Sequence, residues 1–256
     1  MTQIVKTEAL VVQGLRWSDT SKIVHLFTRD KGYIKAIAKG ALRPRSVFHG
    51  LVENLNQIEA VISIRETRGL QVLTQATLIN AFSSIRDDLE STAVAFAMME
   101  MIKASLHYNE NAETLYLFTT DLLTTLDRAP KVHVILYLIR FMLFLSEYLG
   151  FGWNFEVCRM CGNPPNTPLV IAEAVNGAIV CHRCRSSLSG GETNLTLPQW
   201  EFMREFNIVQ PGEIPEKIKS LSPHLNYQPV LDILIAHLNY HTEQTLELKS
   251  LKMFLS

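Results

Sequence analysis

The chain lacks the signatures that would mark it as an enzyme. It has no G-x-x-x-x-G-K-[ST] loop, no G-x-G-x-x-G after a strand, no H-E-x-x-H and no G-x-S-x-G. Phosphate-loop, dinucleotide, zincin and serine-elbow chemistry therefore have no carrier. Long hydrophobic runs are missing too. The longest apolar stretch, Val132 to Leu145, is interrupted by Arg140 and falls short of the ~20 residues that span a bilayer. The opening residues, Met1 to Lys6, show no charged n-region leading into an apolar h-region. A cytoplasmic protein with no membrane partner is the expectation. Cysteine is scarce, with four in 256 residues.

Those four are not scattered. Cys158 and Cys161 form one C-x-x-C pair, and Cys181 and Cys184 form a second, with nineteen residues between. Two such turns bring four sulfurs onto one ion at about 2.3 Å, the arrangement of a tetrahedral Cys₄ zinc site. Four protein sulfurs leave no coordination position open, so one structural Zn²⁺ is expected rather than a catalytic one. Disulfides need an oxidising compartment that nothing in the sequence indicates. His182 stands inside the second pair; it could replace a thiolate, or face solvent from the knuckle. The stretch between the pairs reads as a zinc ribbon: a turn at Asn163-Pro164-Pro165-Asn166, a strand at Leu169–Ala172, and a hairpin about Asn176-Gly177.

The hydrophobic fraction of 47% and charged fraction of 19% belong to a soluble globular chain long enough for two or three modules. Net charge is only −1, but residues 1–80 hold eleven basic side chains against six acidic ones. A basic head on an acidic body suits a protein whose front module meets a polyanion.

The first eighty residues read as β: Glu8–Arg16 with a bend at Gly14, Ser21–Thr28, Tyr33–Lys39, Leu55–Arg65 and Leu70–Ala76. Five hairpin-linked strands suit a small closed barrel such as an OB-fold; an open antiparallel sheet fits the same periodicity. After Phe82 the pattern turns helical, through Thr92–His107, Ala112–Asp127 and the largely apolar Lys131–Leu149. Asp87-Asp88 fits a helix start. A helix begins near Pro198, and Pro211, Gly212, Pro215 and Pro223 mark a looped region. A final amphipathic helix runs from Pro229 to Phe254. The fold class is therefore α+β multidomain: a five-stranded OB-fold barrel (1–81), a helical bundle (82–152 and 191–256), and an inserted Cys₄ ribbon (153–190).

Lys31, Lys35, Lys39, Arg43 and Arg45 form the densest basic run. Strand alternation puts Tyr33, Lys35, Ile37 and Lys39 on one face. Cations beside aromatic rings are what a single-stranded nucleic acid requires, with charges tracking phosphates and rings stacking bases. Tyr33, Phe48 and Trp17 are the rings available, two of which would equally serve a core. His25, in an apolar strand, fits a satisfied core histidine. Three functions remain open: a nucleic-acid binder, a scaffold whose basic face takes an acidic protein tail, and a metal-dependent nuclease. The closed Cys₄ set argues against the nuclease.

Residues 12–28 (Val-Gln-Gly-Leu-Arg-Trp-Ser-Asp-Thr-Ser-Lys-Ile-Val-His-Leu-Phe-Thr), Gly32-Tyr33, Ala38-Lys39-Gly40-Ala41-Leu42-Arg43 and the cysteine quartet resemble the RecO family of bacterial recombination mediators over essentially the whole length. The resemblance implies a non-enzymatic DNA repair and recombination protein. It would bind single- and double-stranded DNA through an N-terminal OB-fold and anneal complementary strands. It would act with RecR, often RecF, and the tail of the single-stranded DNA-binding protein SSB to load RecA, in the cytoplasm and at the nucleoid during repair. Some relatives lack the cysteines, so a metal-bearing version is implied. Lys35, Lys39, Arg43 and Arg45 carry over as phosphate contacts, with Lys31 and Lys22 weaker; Tyr33 joins them as a DNA contact on the strand alternation alone.

Overall fold

The computed structural model describes residues 2–106, 112–187, 192–207, 214, 218, 225–242, 246 and 248–252. They fall into two compact units, 1–128 with 248–256, and 129–247. The looped region about Pro211, Gly212, Pro215 and Pro223 lies outside the described residues, as does His107. The final helix expected from Pro229 to Phe254 is shorter: it ends at Thr242, and Lys249–Lys252 is a separate short helix after non-helical Leu246 and Leu248.

In the first unit, five strands form a closed barrel in the order β1-β2-β3-β5-β4. They are β1 (Gln3–Arg16), β2 (Lys22–Thr28), β3 (Gly32–Ala38), β4 (Gln57–Ile64) and β5 (Gln71–Asn80). β1 makes closure possible. It pairs with β4 from Gln3 to Leu10 and with β2 from Ala9 to Arg16, so one long strand serves both sides of the seam. The bend this needs is a bulge between Val11 and Gln13, where an extra residue raises local twist. The bend expected at Gly14 is thus displaced to Val12. Gly14 serves a close approach instead: a Cβ there would stand 3.2 Å from the Val52 carbonyl oxygen. β4 starts two residues later than the sequence suggests, because Leu55 takes a left-handed turn (φ 70) to enter it.

Alternation sorts the side chains. Val24 and Leu26 of β2, Ile34, Ala36 and Ala38 of β3, and Ile58, Ala60 and Ile62 of β4 fill the interior, closed by Phe48 and Val52 from the β3–β4 connection. Phe48 therefore belongs to the core, 4% exposed.

After the barrel come α1 (Ser83–Arg86), α2 (Leu89–Ser105) and α3 (Glu113–Arg128). Asp88 caps α2, accepting from the Ser91 amide at 2.9 Å and the Ser91 hydroxyl at 2.6 Å. Such a cap stabilises by about 1 kcal/mol. The tail returns as a short helix, Lys249–Lys252, where the Ser250 hydroxyl donates to Glu100 at 2.9 Å.

The second unit contains α4 (Val134–Tyr148), the strands β6 (Asn154–Cys158), β7 (Leu169–Glu173), β8 (Ala178–Cys181) and β9 (Glu192–Thr196), then α5 (Leu197–Asn207) and α6 (Gln228–Thr242). The strands form one sheet in the order β6-β8-β7-β9. β9, which lies past the expected end of the ribbon, pairs with β7 along its full length. The hairpin at Asn176-Gly177 joins β7 to β8 as the sequence indicates. His237 of α6 ties this sheet to its surroundings. It is buried, with Nδ1 2.5 Å from the Ala174 carbonyl and Nε2 2.7 Å from the Phe151 carbonyl.

Candidate nucleic-acid interface and metal centre

The outer barrel face is divided in two. Near the β2–β3 turn it is roofed by α3. Phe27 packs edge to face on Tyr116, with ring centroids 5.4 Å apart, and Tyr33 stands directly opposite Phe27. Tyr33 is only 8% exposed, and its hydroxyl is engaged with His25. Tyr33 shares the expected face with Lys35, but it is covered and not presented to bases. His25 is the satisfied core histidine that the sequence suggests.

Beyond the helix the same face opens. Leu15 pairs with Ile23, Ile23 with Ile37, and Ile37 with Val72. Because paired residues point to the same side, these four side chains form one aliphatic row across β1, β2, β3 and β5. Leu15 is 43% exposed, and the other three are half-buried. Lys35 stands two residues before Ile37, about 6.6 Å away along the strand, and Lys39 lies in the turn that follows Ala38. Both are exposed. Lys103 of α2 borders the next row, its ammonium donating to Gln13 at 2.9 Å. The cations are near enough to register on His25: burial is the main cause holding its pKa below 6.5, with Lys103 and Lys35 adding to it.

Loops extend the surface. The Leu42 amide donates to the Thr20 carbonyl at 2.9 Å, tying the turn after β3 to the β1–β2 loop. Arg43, Arg45 and Trp17 are exposed here, Trp17 at 62%. The β4–β5 turn, with exposed Arg65 and Arg68, leads into Gln71, the partner of Ala36. Among the described residues, Lys35, Lys39, Arg43, Arg45 and Arg68 make no ion pair.

Two expected contacts stand apart. Lys22 is paired with Glu53 at 2.9 Å, its side chain only 18% exposed, so its charge is already answered. Lys31 lies at the opposite end of β3 from Lys39, eight residues or about 26 Å away along an extended strand. Sequence reasoning missed Lys103, Arg68 and the aliphatic row. The row was readable only with strand register in hand, and Lys103 only with α2 docked.

The four cysteines converge. Their sulfurs all lie within 4.8 Å of one another, and none is in a disulfide. Cys161 and Cys181 sulfurs are 3.9 Å apart. Four sulfurs around one tetrahedral zinc stand about 3.8 Å apart, so the donor set fits such an ion. The Cys181 amide donates to Cys158 Sγ at 3.3 Å. Burial pushes the Cys158 thiol up, but the amides of Cys181, Cys161 and Met160 outweigh it and bring it down to about 7. His182 faces solvent outside the group. Arg159, inside the first knuckle, grips Glu173 of β7 through Nε and, at 2.9 Å, through its terminal nitrogen.

Comparison with known proteins agrees with this architecture. A family model described as Recombination protein O N terminal matches residues 1–82, and one described as Recombination protein O C terminal matches residues 86–252. The chain belongs to the RecO family. It is similar to "DNA repair protein RecO" of Desulfosudis oleivorans, 25% identical over 96% of this chain and 95% of that one. The protein of the same description from Symbiobacterium thermophilum is 28% identical, covering 87% of this chain and 91% of its own. That from Caldanaerobacter subterraneus subsp. tengcongensis is 31% identical over 72% and 73% respectively. The RecO-family barrel and the four-cysteine cluster are thus both present here. No helix among the described residues is long and apolar enough to cross a membrane.

Proposed function

We propose that this RecO-family chain is a non-enzymatic recombination mediator that binds single- and double-stranded DNA on the open part of its outer barrel face. The observation that carries this reading is the aliphatic row Leu15–Ile23–Ile37–Val72, bordered by the unpaired cations Lys35 and Lys39. Unstacked bases lie on an apolar platform while phosphates meet ammonium and guanidinium groups. Arg43, Arg45 and Arg68 extend the charged border, with Lys103 behind it and Trp17 as the exposed ring. The strands two and three face with its flanking loops is also where five-stranded barrels of this type take oligonucleotides.

Family membership and the names of the relatives support the rest of the role. The protein anneals complementary strands and, with RecR and RecF, helps load RecA onto DNA coated by SSB, whose C-terminal tail it contacts. It works in the cytoplasm. The cysteine cluster holds one structural Zn²⁺ through Cys158, Cys161, Cys181 and Cys184, which braces the second unit and leaves no position for substrate.

The test is annealing of SSB-coated complementary oligonucleotides by the wild type and by a variant with Lys35, Lys39, Arg43 and Arg45 changed to Ala. Loss of annealing and of single-strand binding in the variant is the expected result. Full activity in the variant removes the barrel site. The same cations would also attract an acidic protein tail, but such a partner has no use for the aliphatic row. Retention of an acidic peptide with no retention of oligonucleotide would favour that second reading.

A further inference from the structure

The charge pattern of the second unit holds an exception. Residues 129–152 and 188–247 carry nine acidic and five basic side chains. Between them, the tip of the ribbon is basic. The second knuckle continues as a 3₁₀ turn over His182–Ser187, in which residues three apart eclipse, so His182 and Arg185 share a side with Arg183 beside them. All three are exposed. Cysteine convergence sets the first knuckle alongside, with Met160 exposed at its corner. Arg159 is committed to Glu173, but Arg183 and Arg185 have no carboxylate partner among the described residues.

We infer that this ribbon tip is a second, separate contact for the phosphate chain of a nucleic acid, with Arg183 and Arg185 as the phosphate ligands and His182 beside them. The inference rests on the reading that the protein binds nucleic acid at all, and adds a site outside the barrel. Rigid attachment favours it. Both arginines stand on a backbone fixed by Cys181 and Cys184, so less freedom is lost on binding than from a loose loop. Guanidinium also suits phosphate better than ammonium does, because its fork offers paired donors. A grip in each unit lets one molecule hold two strands, which annealing requires. The competing role for these arginines is to offset the net −2 charge of four thiolates around a divalent ion.

The experiment compares full-length wild type with R183A/R185A, R183K/R185K and K35A/K39A. It measures binding of a single-stranded oligonucleotide against salt, zinc per chain and thermal unfolding. Two lost phosphate contacts at about 0.7 each lower the salt slope by about 1.4, so wild type loses about sevenfold more affinity than R183A/R185A between 50 and 200 mM salt. The expected result is that drop in R183A/R185A with zinc and melting unchanged, largely restored in R183K/R185K. An unchanged slope in R183A/R185A overturns the inference. So does loss of zinc from it, which assigns the arginines to the metal. If only K35A/K39A loses slope, the barrel site stands and the ribbon site falls; if neither does, both fall. Polyglutamate binding that R183A/R185A loses while oligonucleotide binding persists would mark a site for acidic peptide and also overturn it.

Discussion

The Tyr33 hydroxyl lies 2.7 Å from His25 Nδ1, and the two rings meet edge to face with centroids 5.7 Å apart. This pair lies beside the Phe27–Tyr116 contact, with Tyr33 opposite Phe27, at the closed end of a face whose other end is open. It converts the one aromatic of β3 from a binding residue into a structural one. Y33F should therefore lower barrel stability by about 1 kcal/mol, the usual net value of a buried hydrogen bond, and leave oligonucleotide affinity unchanged. W17A should do the reverse. Removing an exposed ring that stacks a base weakens single-strand binding by about 1–3 kcal/mol while the melting temperature stays put. Paired melting and binding measurements on the two variants check both.

The same histidine makes stability depend on pH. Burial, then Lys103, then Lys35 hold the His25 pKa below its ordinary 6.5. The unfolded chain then binds more protons than the folded one once pH falls below about 6.5, so acid favours unfolding. The contribution is complete above 6.5 and is lost as pH drops through the lowered folded value. The melting temperature of the first unit should fall between pH 7 and 5, and H25Q should flatten that fall. A rise in stability on acidification would contradict the assignment.

Apolar row and charged border should separate in binding data. I37S and L15S remove contact with bases, which only single strands expose, so affinity for single strands falls while the salt slope holds. K35A/K39A removes phosphate contacts, so the slope falls by about 1.4 on single strands and duplex binding weakens as well. Titrations of both substrates across salt, run on the two sets of variants, distinguish the roles.

Much of this was legible in the sequence. Alternation of β-branched residues located all five barrel strands, and the cysteine spacing predicted that the four thiols converge. What escaped depends on contacts distant in sequence. Tyr33, Lys35 and Ile37 do share a face, with Lys39 in the turn just past the strand, but period-two alternation cannot say that α3 covers one end of that face. Lys22 reads as a free cation until Glu53, thirty-one residues on, is brought to 2.9 Å. Lys103 reads as a helix-surface residue until α2 sets it beside Gln13. The bulge at Val12 and the pairing of β9 with β7 are properties of register, which a single strand's composition does not encode.

Metal removal should act on one unit alone. The cysteines join β6, β8 and the 3₁₀ turn, all within 129–247. Binding free energy at such a site is folding free energy for the segment that makes it. Chelation, or C158S, should lower the melting transition of the second unit and leave that of the barrel in place. Calorimetry with zinc analysis checks this, with about one zinc per chain expected for the wild type. A single transition shifted as a whole would show that the metal stabilises both units together.

Arg159 offers a finer test of the same centre. Its bidentate pairing with Glu173 holds the Cys158–Cys161 knuckle against β7, and its amide donates to the Ile179 carbonyl at 3.0 Å. The Glu173 carboxylate is nearly buried, so breaking the pair from the arginine side leaves a desolvated charge behind. R159A should then loosen the knuckle and weaken metal retention by about tenfold, the lower end of what supporting residues around a metal site contribute. R159A/E173Q, which removes the stranded charge, should recover part of that loss. Competition against a chromogenic chelator measures both, and equal zinc retention in R159A and wild type would show that the four thiolates fix their own geometry unaided.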